Sequence, residues 1–279
     1  MSISIMRFAV ALYAAGAAAY ILFFARPQHV RAAPAGMAFV LAGFVVHLAS
    51  IGFACAEFGG REFFTVRGGL SMLAWVGAGA FLLLMRNWRI PAIGAFVLPL
   101  VLVAALPAAV GLGPNSTGTI PDSIRGPSLT VHITSATGGV AIFAIAFGVA
   151  LMYLLQEREV KGKHFGALFS RLPSLDALDR LNQRLVRSGF VVYTVAVVTG
   201  VVVASKVNKE TGAAAWPLDP QLLGSIFVWM LYGAMVQLRH VGIHGRKYAL
   251  LTLAGFALVL GTLVAPIALP NLIKHGTLQ

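Results

Sequence analysis

The chain has 279 residues, of which 58% are apolar and only 11% charged, against about 25% charged in an ordinary soluble domain, and this excludes a water-soluble globular protein. A membrane-spanning helix needs about 20 apolar residues, so the apolar content is almost fully used by eight spans. The 21 Lys and Arg against 9 Asp and Glu give a net charge of +12, which reads as an orientation signal in membrane loops, since no nucleic-acid-binding motif accompanies it.

Charge-free stretches of 18 residues or more cover 8–25, 32–56, 68–85, 90–121, 126–156, 188–205, 220–238 and 248–273. They predict an all-α polytopic membrane protein, one transmembrane domain over 1–279. The expected spans are 8–25, 36–56, 68–85, 91–111, 130–155, 188–205, 221–238 and 248–269. The first stretch is longer than a signal-peptide core and ends in Ile21, Leu22, Phe23 and Phe24 rather than in a small-residue cleavage site, so it is taken as span one.

Span two carries His47, ten residues before Glu57 and so about 15 Å along the helix. An intramembrane histidine needs a partner or a ligand. Here it is either a functional group or a neutral imidazole bonded to a neighbour such as Ser50 or Ser71. Cys55, the single cysteine, cannot form an intramolecular disulfide and reads as a small buried apolar residue. Span three opens with Ser71 and Trp75, and Pro99 and Pro107 interrupt span four. No internal repeat is evident. All nine acidic residues lie outside the eight stretches, so nothing marks an intramembrane proton relay or ion-coupled transport.

Arg125 precedes span five, which carries His132 at its outer end within SLTVHITSA. Neutral imidazole is a strong axial ligand for haem iron, and two such groups on different helices hold a flat cofactor between them. The loop after span five offers Ser174 as a helix cap and Leu175, Leu178, Leu181 and Leu185 at helical spacing among Arg180, Arg184 and Arg187. That pattern predicts an amphipathic helix over 174–187, lying on the inner leaflet or docking a cytoplasmic partner. Trp216, Asp219 and Pro220 introduce span seven, followed by Trp229, Tyr232 and Arg239, and His275 follows span eight. His29, His164, His240 and His244 read as basic residues flanking spans.

The loops after spans one, three, five and seven hold 14 of the 21 Lys and Arg residues. Loops kept in the cytoplasm are enriched in these residues, so both termini are expected on the outer, periplasmic side.

These segments together resemble the cytochrome c assembly family of haem-handling membrane proteins, the CcsA and CcmC group, over about residues 40–265. His47 and then GGLSMLAW look like the family's span-two histidine and the start of its next span. SLTVHITSA looks like its outer histidine motif. The run from Trp216 and Asp219–Pro220 to HGRKYALLTLAGF looks like its WWD segment and the helix pair behind it. Two departures point toward the HemX-like branch: only Trp216 remains in a run of alanines, and Gln237 stands where a second intramembrane histidine is expected.

The resemblance implies an inner-membrane protein of bacterial c-type cytochrome biogenesis that binds haem b and presents or exports it on the outer face. It implies delivery rather than stand-alone catalysis. By analogy His132 is an outer axial ligand, His275 the second, His47 an intramembrane ligand, and Trp216 with Asp219 a porphyrin contact. Arg125 or Arg67 would hold a propionate, since an Arg fork matches a carboxylate. The implied partners are haem, membrane lipid and a second assembly protein with a large outer domain, and no nucleic acid. The alternatives are a HemX-like adaptor regulating tetrapyrrole synthesis from the inner side, and a small-molecule exporter unrelated to haem.

Overall fold

A computed structural model describes residues 2–26, 28–58, 65–88, 90–111, 126–163, 166–211 and 220–268. The described residues are almost wholly helical, as a chain surrounded by lipid must be when its backbone can only be satisfied internally. The helices are α1 Ser2–Ala25, α2 Ala32–Phe58, α3 Val66–Trp88, α4 Gly94–Val110, α5 Pro127–Lys161, α6 Ala167–Arg171, α7 Leu175–Thr211, α8 Pro220–Leu238 and α9 Arg246–Ala268, with a 3-10 turn Pro91–Ile93 leading into α4. All but the five-residue α6 are long and apolar enough to cross a membrane, and the protein is a multi-pass membrane protein.

Local chemistry sets the boundaries. Pro127 starts α5 directly after an extended Gly126, where a missing N–H costs nothing. Gly111 closes α4 in the left-handed conformation at φ 71° and donates to the Pro107 carbonyl. Pro99 and Pro107 lie inside α4 without ending it. Cys55, expected to be buried, is exposed on α2 near its end, on a face that no other described helix covers.

The bundle has two apolar clusters that share α5. Tyr13, Tyr20, Val40, Phe81 and Leu98 anchor the first, from α1 to α4, and Ile145, Val149 and Met152 join it from one face of α5. Val140, Phe143 and Ala146 from the other face join Tyr193, Tyr232 and Tyr248 of α7, α8 and α9 in the second. The long pairing of α5 with α7 holds the halves together.

Successive helices run antiparallel, so one end of the bundle gathers the starts of α1, α3, α5 and α8. Ser2 bonds Glu57 there at 2.7 Å, and Arg7 donates to the Ala109 carbonyl at 3.0 Å. At the opposite end α5 and α7, 35 and 37 residues long, measure about 52 and 55 Å against a hydrocarbon layer of about 30 Å.

Residues 174–187 correct the sequence expectation of a separate surface helix. They are the first part of α7, continuous with the span, with the backbone N–H of Ala177 donating to Ser174 Oγ at 3.3 Å as the cap requires. Leu178 and Leu181 are fully buried beside Met152 and Leu172. The leucine stripe finds its apolar partners inside the bundle instead of among acyl chains. The cations stay outside it: Arg180 pairs with Asp176, and Arg184 lies over the Trp88 ring. Asp179 ties α7 to the α8–α9 turn, accepting from Arg239 Nη2 at 2.6 Å and from the Gly245 N–H at 3.0 Å. Gly245 holds φ 63° there, a conformation that suits glycine.

Candidate functional site

The two histidines singled out by sequence lie in different clusters and in different states. His47 is fully buried. Tyr13 Oη on α1 is 3.3 Å from its Nδ1, and Ser71 Oγ on α3 is 2.9 Å from its Nε2. Of the two serines considered as partners, Ser71 takes the role, while Ser50 donates to the Ser2 carbonyl at 2.9 Å. Trp75, one turn beyond Ser71, stacks on Phe44 and donates to its carbonyl at 3.2 Å. The imidazole thus joins three helices with both nitrogens engaged. A cleft of about 40 Å³ lined by Ser2, Ser50, Arg67 and Ser71 adjoins it, room for about one water. Gln237 is exposed on α8, so no ligand pair forms between it and His47.

His132 is only half satisfied. Its Nδ1 is 2.8 Å from the Ala196 carbonyl on α7. A carbonyl can only accept, so Nδ1 carries the proton and the lone pair falls on Nε2, which has no hydrogen-bond partner among the described residues. Metal-binding histidines are typically held in this way, with the second ring nitrogen fixed by a carbonyl. Gly200, one turn beyond Ala196, makes the approach possible: a Cβ there would stand 2.8 Å from His132 Cε1 and 3.0 Å from Nδ1.

His132 lines a cavity of about 450 Å³ between α5, α7, α8 and α9, within the range of about 300–1,000 Å³ usual for cofactor sites. Val140, Tyr193 and Val259 line it with apolar and aromatic groups, and Asn208 near the end of α7 with Gln221 and Ser225 near the start of α8 add polar ones. A flat apolar ligand with polar edges and an open metal coordination site fits this donor set. Among the described residues no group of three His, Cys, Asp or Glu side chains assembles to hold a bare metal ion.

Two of the residues singled out in the sequence, Trp216 and Asp219, fall in the segment 212–219 between α7 and α8 in sequence. Those two residues, with Arg125 and His275, lie outside the described residues. The structure gives Trp229 and Tyr232 packing roles: Trp229 donates to Thr194 Oγ1 at 2.9 Å, and Tyr232 stacks on Phe143. Sequence reading missed Ala196, Gly200, Tyr193 and Asn208. One signal was present, since a lone glycine within the valine-rich run VVTGVVVA marks a close approach of another element.

The family described as Cytochrome C assembly protein matches residues 63–265. The match takes in α3 to most of α9 and includes His132, whereas His47 and His275 fall outside it. The cytochrome c biogenesis protein CcsA of Prochlorococcus marinus (strain NATL2A) is 26% identical over 219 residues, 68% of this chain and 68% of that protein. The CcsA of Thermosynechococcus vestitus is 27% identical over 177 residues, 63% of this chain and 49% of its own length. Protein HemX of Brevibacillus brevis is 30% identical over 112 residues, 40% of each chain.

Proposed function

The chain belongs to the cytochrome c assembly protein family, and from that premise we propose that it binds haem in the His132 cavity and presents it for c-type cytochrome maturation. The observation that carries the reading is the half-satisfied imidazole: Nδ1–H fixed on the Ala196 carbonyl at 2.8 Å, Nε2 unpartnered, and the ring on the wall of a 450 Å³ apolar cavity. His132 supplies an axial nitrogen to the iron. The apolar walls of α5, α7 and α9 take the macrocycle face and exclude water, and the polar side chains of Asn208, Gln221 and Ser225 take its edge. Haem is cargo here, and its iron and porphyrin carry the chemistry that follows.

In this reading Trp216 and Asp219, which lie between α7 and α8 in sequence, contact the porphyrin. His275 is the second outer ligand. His47 is a structural group in the described state, and it becomes a ligand only after release from Ser71 or Tyr13. The excess of Lys and Arg in alternate loops supports an orientation in a bacterial inner membrane that opens the cavity outward.

Absorption spectra of the detergent-purified protein, oxidised and reduced, test the proposal. Wild type shows a Soret band that His132→Ala loses or shifts, while His47→Ala keeps it. A protein that stays colourless in haem-replete cells and takes up no added haem overturns it.

A further inference from the structure

At the other end of α7 from the His132 cavity, a cleft gathers basic side chains from two helices. Gln183 and Arg187 of α7, Val236, Arg239 and His240 at the close of α8, and Tyr248 of α9 line it. Its free volume is about 20 Å³, room for about one water-sized atom. Arg239 is held by Asp179 Oδ2 at 2.6 Å and by the Tyr248 ring, whose centroid is 5.7 Å from its Cζ. Its Nη1 is buried with no hydrogen-bond partner among the described residues. Arg187 and His240 are exposed, and Arg187 has no ion pair among the described residues. Two guanidiniums and an imidazole therefore meet one carboxylate.

The cleft lies where three spans leave the apolar layer. The charge-free stretches start at 188, end at 238 and start again at 248, so Arg187, Arg239 and His240 stand at headgroup level. From Arg187 the exposed face of α7 continues into the span as Val191, Val195, Val198 and Val202, which are 61%, 44%, 60% and 43% exposed. Their three- and four-residue spacing keeps them on the side of the helix that carries Arg187, and the track they form is about 22 Å long. A soluble anion gains nothing from such a track. A phosphate esterified to acyl chains uses both the cations and the valines.

We propose that this cleft is a binding site for an anionic phospholipid, with its phosphate between Arg187 and Arg239 beside His240 and an acyl chain along the valine face of α7. An arginine fork matches phosphate geometry, and basic pockets between membrane helices take anionic headgroups. The lipid adds the second anion that the cluster lacks and braces the junction where Asp179 also accepts from the Gly245 N–H at 3.0 Å. The site is independent of the haem reading, since Arg187 and Gly200 on α7 are about 20 Å apart.

Thermal unfolding of the delipidated full-length protein in neutral detergent tests this, with added phosphatidylglycerol, phosphatidylcholine, glycerol 3-phosphate or inorganic phosphate. Phosphatidylglycerol raises the midpoint saturably, phosphatidylcholine does so only at much higher concentration, and the two soluble phosphates have no effect. Arg187→Gln raises the half-saturating phosphatidylglycerol concentration about fivefold, the factor for one cation at an anionic surface. Arg187→Glu raises it further, and Arg187→Lys recovers most of the loss. Arg187→Gln without lipid unfolds at the wild-type temperature, because the side chain is exposed. Arg180→Gln, a charge lost from the same helix outside the cleft, leaves the lipid response unchanged. Equal responses to the two lipids, or an equal loss in Arg180→Gln, would reduce the effect to general attraction and overturn the proposal. Saturation by either soluble phosphate would make this a free-anion site and overturn it as well.

Discussion

Gly200→Ala tests the geometry of the His132 site with a single added methyl group. The new Cβ would stand 2.8 Å from Cε1 and 3.0 Å from Nδ1 of His132, whereas carbon contacts settle at about 3.5–4.0 Å. The backbone of α7 is held by its own hydrogen bonds, so the ring moves outward by about 0.7 Å. That movement stretches the 2.8 Å bond to the Ala196 carbonyl beyond the usual hydrogen-bond range. A lost bond of this kind costs about 0.5–1.5 kcal/mol, partly offset by the helix preference of Ala over Gly, about 1 kcal/mol. Stability changes little, while the imidazole loses both its tautomer lock and its aim. The expected result is haem affinity at least tenfold weaker and a broadened Soret band, with a melting temperature within a few degrees of wild type. Gly261→Ala is the control, because a Cβ there meets nothing within 4 Å. Full-affinity binding by Gly200→Ala with an unchanged spectrum would show that the ring is not held as described.

Three further substitutions probe the rest of the bundle, each read as thermal unfolding in detergent. Ser71→Ala strips a partner from the buried His47 Nε2 and costs about 1–3 kcal/mol, with haem binding retained; an unchanged melting temperature would refute the anchoring role. Asp179→Asn removes the charge that meets Arg239 at 2.6 Å and leaves a guanidinium whose Nη1 already has no hydrogen-bond partner among the described residues. It costs about 2–3 kcal/mol, below the range for fully buried pairs, and Arg239→Met in the same chain recovers part of it. Tyr232→Phe is expected to be neutral or slightly stabilising, because its hydroxyl is buried without a hydrogen-bond partner among the described residues and its ring keeps the stack on Phe143; a loss above about 1 kcal/mol would reveal a partner.

The eight apolar stretches were legible because lipid imposes one rule on every residue of a span. Charge-free length then marks a helix whatever packs against it. Legibility fell off where tertiary partners decide. The leucines of 174–187 have the same spacing whether they face acyl chains or Met152 and Leu172, and periodicity records only that they are covered. His47 within its span and His132 at the outer end of another likewise both read as candidate ligands. Their difference lies in what α1, α3 and α7 bring to each ring. The Ala196 carbonyl belongs to a residue with no polar side chain, so no motif announces it. Gly200 was the one trace in the sequence of the close packing that holds His132.

The contrast between the two rings also has a thermodynamic consequence. A buried polar group with every partner in place has nothing to gain from a ligand, and displacing Ser71 from His47 would cost a hydrogen bond before any new bond formed. The Nε2 of His132 has no such bond to lose. A ligand that binds only the folded state stabilises it by RT ln(1 + [L]/Kd), about 2.7 kcal/mol at a hundredfold excess over Kd. Added haem is therefore expected to raise the melting temperature of wild type and of Ser71→Ala by the same several degrees, since the two sites share no hydrogen bond. His132→Ala should show no rise. A haem-dependent rise that survives in His132→Ala and vanishes in His47→Ala would transfer the binding role to the first cluster, and with it the assignment of the cavity.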